Sequence, residues 1–240
     1  MQNPQRLLNF PSLLNARDLG GYPTREGSRT KWRSLLRADD LVQLTPAGVQ
    51  TLGDFGIETV VDLRWPEEVS ASPSPIPAGL KHVRYHQISL LARTQEEWAA
   101  VPAEATKEMW KCVVLDHARS ELKSVLQVIA SSSTGPLLFH CVAGKDRTGI
   151  IAALMLAVAD VTPEAIAQDY ALSTERLREA YLVRYAHEGE QDILENLRCP
   201  EEGAYNMLEY LERQGGVTAY FNQIGLADAE IAQLRAKLRT

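Results

Sequence analysis

Cysteine is scarce. Cys112, Cys141 and Cys199 are the only three in 240 residues, they lie far apart, and no C-x-x-C pair occurs. An odd, scattered set excludes a disulfide framework and a cysteine-based zinc site, and it suits a reducing, cytoplasmic setting. Long hydrophobic runs are missing too. The longest, GIIAALMLAVA (residues 149–159), is too short to cross a bilayer and reads as a buried core helix. The opening MQNPQRLLNFPSLLNARDLGG has neither a continuous apolar core nor a small-residue cleavage site, so no signal peptide is expected, although export without one stays open. A positive excess is also lacking. The net charge is −6, the wrong sign for general binding to nucleic acid or an anionic membrane surface, so neither nucleic acid nor stable membrane anchoring is expected. No internal repeat or low-complexity block appears. His82 and His86 have a spacing that a helix could turn into metal ligands, but LKHVRYHQISL alternates as a strand does, and no metal site is expected.

What remains is the composition of a soluble protein with a real core: 45% hydrophobic and 23% charged residues. Short apolar or β-branched runs bounded by turn residues predict strands in WRSLLRA (32–38), ETVVDLR (58–64), HVRYHQI (82–88) and PLLFHC (136–141). Helices are predicted at 45–55, where Thr45 can cap and Pro46 fits the first turn, and at 96–115, 118–130 and 148–160. SASPSPIPAGL (70–80) reads as a loop between strands. Beyond Asp160 the pattern is helical almost to the end, in separate segments that include 162–172 and 174–188. Strands alternating with helices predict an α/β fold, a mostly parallel central sheet flanked by helices, with a helical tail from residue 161. Residues 1–240 are expected to form a single domain.

One stretch carries chemistry. In FHCVAGKDRTGI a buried strand runs into a tight turn and then into a helix, a place where backbone N–H groups converge and attract anions. Two nucleotide patterns fail there. A Walker A loop needs a glycine where Phe139 stands and a Ser or Thr where Asp146 stands, and G-x-G-x-x-G is absent. Instead, Cys141 and Arg147 are separated by the five residues VAGKD. A cysteine at a helix N-terminus beside Lys145 and Arg147 favours the thiolate. Arg147 offers a planar fork of donors that matches two oxygens of a phosphate. Gly144 lets the backbone approach the anion, and Thr148 can donate its hydroxyl to the sulfur. Cys112 and Cys199 have no such surroundings and read as structural.

HCVAGKDRTG resembles the signature of the cysteine-dependent protein tyrosine phosphatases. It is most similar to the bacterial and fungal tyrosine/dual-specificity group whose loop reads HCxAGKDRTG, which includes a secreted mycobacterial phosphatase. NARDLGGYPT followed by KWRSLLRADDL, and FGIETVVDLR followed by an acidic residue, resemble the N-terminal half of that group. IAQDYALS and LERQGGVTAYFNQIGLADAEIAQLR resemble its C-terminal half.

The resemblance implies that Cys141 attacks a phosphomonoester and forms a phosphocysteine that water hydrolyses. Arg147 and the amides of Val142, Ala143, Gly144, Lys145, Asp146 and Arg147 would hold the phosphate oxygens, and His140 would brace the cysteine backbone. No metal and no cofactor is implied. For the leaving-group proton, Asp146 inside the loop is the first candidate. Asp62 is the second, or else a loop-orienting partner, and Asp116 is the third. Trp65-Pro66-Glu67 resembles an acid-bearing loop but lies far upstream, and it is taken as coincidence. Asn15, Arg17 and Asp18 either line the site or form a salt-bridged turn, while Asp169 and Tyr170 are expected to tie the tail to the core. Leu90 to Ala105, in an insertion running to about residue 116, reads as a mobile lid. Phosphotyrosine proteins or peptides are the expected substrates. Phosphoinositides are the alternative, weakened by Val142 where lipid phosphatases carry a lysine. A rhodanese-like sulfurtransferase and a non-catalytic phosphopeptide reader are rival readings from other classes.

Overall fold

A computed structural model describes residues 4–91 and 109–239. Five strands form one sheet: β1 (Arg17–Asp18), β2 (Leu35–Ala38), β3 (Thr59–Asp62), β4 (Arg84–Gln87) and β5 (Leu137–His140). Their order is β1-β2-β5-β3-β4, with β1 antiparallel at one edge and all other pairs parallel. Each strand predicted from the sequence is present, shortened to the residues that pair. β2, β3 and β5 are buried along their whole length, as strands covered by helices on both faces must be, whereas the edge strand β4 is partly exposed.

Helices fill both faces. On one side α1 (Pro46–Phe55), with Thr45 capping Gly48 N–H at 3.2 Å and Gly56 ending it at φ 89°, closes a core of Phe10, Leu36, Leu52, Val60 and Leu138. A larger core lies on the other face, where α5 (Arg119–Ser131), α6 (Asp146–Val158) and α11 (Asp228–Leu238) pack together. α6 is buried almost all round, which explains its unbroken apolar sequence.

Three further features depart from expectation. The loop at 70–80 contains a short helical turn, α3 (Ile76–Gly79), after α2 (Pro66–Ala71). The two segments at 162–172 and 174–188 join into one helix that ends at Arg184, α7 (Pro163–Arg184), and Ser173 between them is buried and accepts a hydrogen bond from Arg17 at 3.1 Å. A helix not anticipated, α8 (Glu190–Leu197), follows it, and α9 (Glu201–Arg213) and α10 (Val217–Gln223) lead to α11. Of the helix expected at 96–115 only its end is described, within α4 (Trp110–His117). Most of the expected lid, residues 92–108, lies outside the described residues.

The register fixes where the site forms. Ala38, His140 and Asp62 are paired neighbours, so β2, β5 and β3 end level with one another. The loop from Cys141 leaves the central strand at that common carboxyl edge, which is where open α/β sheets place their ligand crevices.

Candidate active site

Cys141 to Lys145 join β5 to the first turn of α6. Gly144 sits at φ 64°, and a Cβ there would lie 2.4 Å from the Ala38 carbonyl oxygen, so no other residue fits. The loop carbonyls are all engaged from behind. Asp40 N–H donates to Val142 O at 2.9 Å, Asn15 Nδ2 donates to Ala143 O at 3.0 Å and Gly144 O at 3.1 Å, and Arg37 Nη2 donates to Gly144 O at 2.6 Å. In a planar trans peptide the following N–H points opposite to the carbonyl. The amides of Ala143, Gly144 and Lys145 are therefore directed away from that rear wall.

The rear wall is itself a buried ion network. Asp169 on α7 accepts from Arg17 Nε at 2.8 Å, Arg37 Nη1 at 2.5 Å and the Tyr22 hydroxyl at 2.7 Å, and Arg17 Nη1 reaches Asn15 Oδ1 at 2.6 Å. Burial works to raise the Asp169 pKa, but the two guanidiniums outweigh it and hold the carboxylate well below its usual range. Asn15 and Arg17 thus support the loop instead of forming a local salt bridge with Asp18. Asp18 binds the N–H groups of Gly20 at 2.8 Å and Arg33 at 2.7 Å, which makes it a turn residue. Asp169 does tie the tail to the core, through arginines that also hold the loop.

Cys141 is only 3% exposed. His140 Nδ1 donates to the Cys141 carbonyl at 3.2 Å. Burial lowers the His140 pKa, although Asp62 lies 3.6 Å from its Nε2 and pulls the other way. Asp62 is fully enclosed, accepting from Arg64 Nη2 at 2.6 Å and the Tyr85 hydroxyl at 2.5 Å. Burial would raise its pKa, but His140, Arg64 and Tyr85 outweigh it and the net shift is downward. Of its two expected roles, this geometry fits the loop-orienting partner and leaves no open face for an acid. Thr148 departs from expectation: its hydroxyl is buried and makes no hydrogen bond in the structure, so it does not donate to the sulfur. Asp116 bonds the Tyr210 hydroxyl at 2.6 Å and Arg119 at 3.0 Å, a structural pairing between helices.

The front of the loop carries the polar groups that reach solvent. Lys145 Nζ lies 2.8 Å from Asp146 Oδ2, and the Tyr170 hydroxyl donates to Asp146 Oδ1 at 3.2 Å. Burial favours a protonated Asp146, yet Lys145, then Lys111 and Tyr170, outweigh it and lower its pKa. Arg147 is gripped by a residue that the sequence reading missed. Its Nη1 and Nη2 donate to Glu68 Oε2 and Oε1 at 2.5 and 2.9 Å, and its guanidinium lies 5.4 Å from the Trp65 ring centroid. Glu68 also accepts from Trp65 N–H at 2.7 Å, closing the first turn of α2. Glu67 is exposed, as suits a bystander, but Trp-Pro-Glu-Glu as a whole is not remote: it follows β3, and the level ends of β3 and β5 put it over the loop. Its place directly after a predicted strand was the signal available in the sequence.

The described residues include no cluster of His, Cys, Asp and Glu that could hold a metal. No described helix is long and apolar enough to cross a membrane.

A family model described as "Tyrosine phosphatase family" matches residues 8–240. A tyrosine-protein phosphatase of Nostoc commune is 30% identical over 226 residues, covering 85% of this chain and 74% of that one. The triple specificity protein phosphatase PtpB of Mycobacterium tuberculosis is 25% identical over 277 residues, covering 95% of this chain and 98% of its own. The crystal structure of P. aeruginosa TpbA aligns more loosely, with a TM-score of 0.32 and 15% identity over 69% of this chain and 86% of that one.

Proposed function

Since the chain belongs to the tyrosine phosphatase family, we propose that it hydrolyses phosphotyrosine in proteins or peptides through a phosphocysteine formed on Cys141. The observation that carries this reading is the arrangement of the loop. Its carbonyls are bonded to a rear wall, so its amides turn the other way, with Cys141 at one end and Arg147 at the other. Such a ring of fixed donors stabilises the extra negative charge of a phosphoryl-transfer transition state without reorganising.

In the first step the Cys141 thiolate attacks phosphorus while the P–O bond to the tyrosyl oxygen breaks. The amides from Val142 to Arg147 and the Arg147 guanidinium hold the non-bridging oxygens. His140 fixes the cysteine backbone from behind. Asp146 supplies the leaving-group proton and then activates the water that releases phosphate. Its pKa is lowered in the free site, but a dianionic ester brings like charge beside it and draws Lys145 toward phosphate, and both raise its proton affinity. Glu68 leaves Arg147 its Nε–H and one further hydrogen on each terminal nitrogen, enough to bind two phosphate oxygens.

A cytoplasmic setting belongs to the same proposal, supported by three scattered cysteines with no C-x-x-C pair. Phosphotyrosine peptides are the preferred substrates over phosphoinositides, because the loop position beside Ala143 is Val142 and the net charge is −6. The test is hydrolysis of p-nitrophenyl phosphate and a phosphotyrosine peptide in EDTA. Turnover that disappears in Cys141→Ser supports the reading, and full activity in that variant rejects it. Higher kcat/KM for phosphoinositides than for peptides rejects the substrate preference alone.

A further inference from the structure

Tyr170 is buried to 3% exposure on α7, and its ring is wedged against the start of α6, where a Cβ added to Gly149 would come within 2.9 Å of it. Its hydroxyl holds Asp146 by one oxygen at 3.2 Å, while the other oxygen faces Lys145 at 2.8 Å. Asp146 and Tyr170 also line a cleft of about 310 Å³ beside the catalytic loop, together with Lys111, Lys145 and Arg198. The carboxyl therefore borders open space next to the loop, and it is tethered by the phenol.

We propose that Tyr170 is a positioning residue for the leaving-group proton: it clamps Asp146 Oδ1 so that Oδ2 is presented to the departing tyrosyl oxygen. This rests on the reading of Asp146 as the general acid. As the S–P bond forms, the electron pair of the breaking P–O bond passes to the tyrosyl oxygen. That oxygen takes the proton from Asp146 Oδ2, leaving a phenol product and an Asp146 carboxylate. In the second step the carboxylate accepts a proton from water as that water attacks phosphorus and the Cys141 thiolate departs. Through both steps Tyr170 keeps its own proton. Burial, and then the charge of Asp146, push the phenol well above its ordinary range, so it remains a donor throughout.

The charged and titratable groups around Asp146 come from every neighbouring element. They are Lys145 from the loop, Arg147 from α6, Lys111 from α4, Tyr170 from α7, and Arg198 and Cys199 from the segment after α8, Arg198 lining the same cleft and Cys199 lying beside Lys145 and Tyr170. Lys111 Nζ sits 4.3 Å from the Tyr170 ring centroid, stacking a cation on the face of the clamp.

The sign of the effect follows. A hydrogen bond donated to a carboxylate favours its ionised form, so losing the phenol raises the Asp146 pKa. An acid works while protonated, so the alkaline limb of kcat/KM must move upward. Tyr170→Phe keeps the ring against Gly149 and removes only the donor. With phenyl phosphate, its alkaline limb is expected to rise by about half to one pH unit. Its plateau kcat/KM is expected to fall about tenfold from lost orientation, while dinitrophenyl phosphate, whose leaving group needs no proton, changes by less than about twofold. A fluorinated tyrosine at position 170, a stronger donor, should shift the limb the opposite way. An unmoved limb in both variants, or equal losses on both esters in Tyr170→Phe, overturns the proposal. Asp146→Asn separates the two levels. If it loses activity selectively on phenyl phosphate while Tyr170→Phe does not, the clamp is wrong and the acid stands. If Asp146→Asn loses equally on both esters, the acid assignment falls and takes the clamp with it.

Discussion

The two sides of the catalytic loop are built from the same kinds of residue in opposite surroundings. Behind it, Asn15, Arg17, Arg37 and Asp169 are 0–3% exposed and bonded into one network that ends on loop carbonyls. In front, the side chains of Arg147, Lys145, Glu68 and Asp146 are 12%, 16%, 26% and 36% exposed. Buried ions have nowhere to go if a partner is lost, because water cannot replace it. Ion pairs that reach solvent can trade partners, and a phosphate is the partner they would trade for. The rear therefore sets the shape of the loop and much of the local stability, whereas on the proposed mechanism the front sets affinity and rate.

The sharpest way to separate the sides is to remove the proposed nucleophile alone. Cys141→Ser should lower kcat/KM by about four orders of magnitude or more while the thermal midpoint stays put, measured by steady-state assay and calorimetry. Arg147→Lys keeps the charge but loses the planar fork. It should cost about 10²–10³ in kcat/KM, again without loss of fold. Asp169→Asn attacks the rear instead. It leaves Arg17 and Arg37 short of their carboxylate and should destabilise the protein by about 3–5 kcal/mol in chemical denaturation. The pH dependence follows with a definite sign. The Asp169 pKa is lowered in the fold, so its stabilisation is present above the unfolded carboxylate value of about 3.9 and is lost as pH falls below it. Stability of the Asn variant should therefore be flatter than that of the parent protein in that acid range. The smallest effect is expected at Glu68→Gln, which keeps the shape of the clamp on Arg147 and loses its charge. A kcat/KM reduced about tenfold with an unchanged midpoint places it on the front side. A large loss of stability there would erase the distinction.

What the sequence made legible divides along the same line. The loop from His140 to Gly149 is contiguous, so its turn, its cysteine and its arginine could be read directly, as could the strands, whose apolar runs answer to burial in the sheet. The helix after the loop was legible for the same reason, although it begins at Asp146, two residues before the expected start. The rear wall was not, because Arg17 and Asp169 are 152 residues apart and Arg37 and Asp169 are 132 apart. A polar residue's pattern in sequence does not reveal whether it faces water or a distant partner. Glu68 was missed on similar grounds, being 79 residues from Arg147. Only the parallel register of β3 beside β5 brings them together. Thr148 shows the converse: a hydroxyl in a plausible motif position that is buried and makes no hydrogen bond.

Rapid-quench labelling during turnover probes the core of this account most directly. With a phosphotyrosine substrate carrying a labelled phosphoryl group, the label should appear transiently on the peptide that holds Cys141. Turnover with no labelled protein, or with the label on another side chain, would mean that the sulfur is not where the phosphoryl group goes.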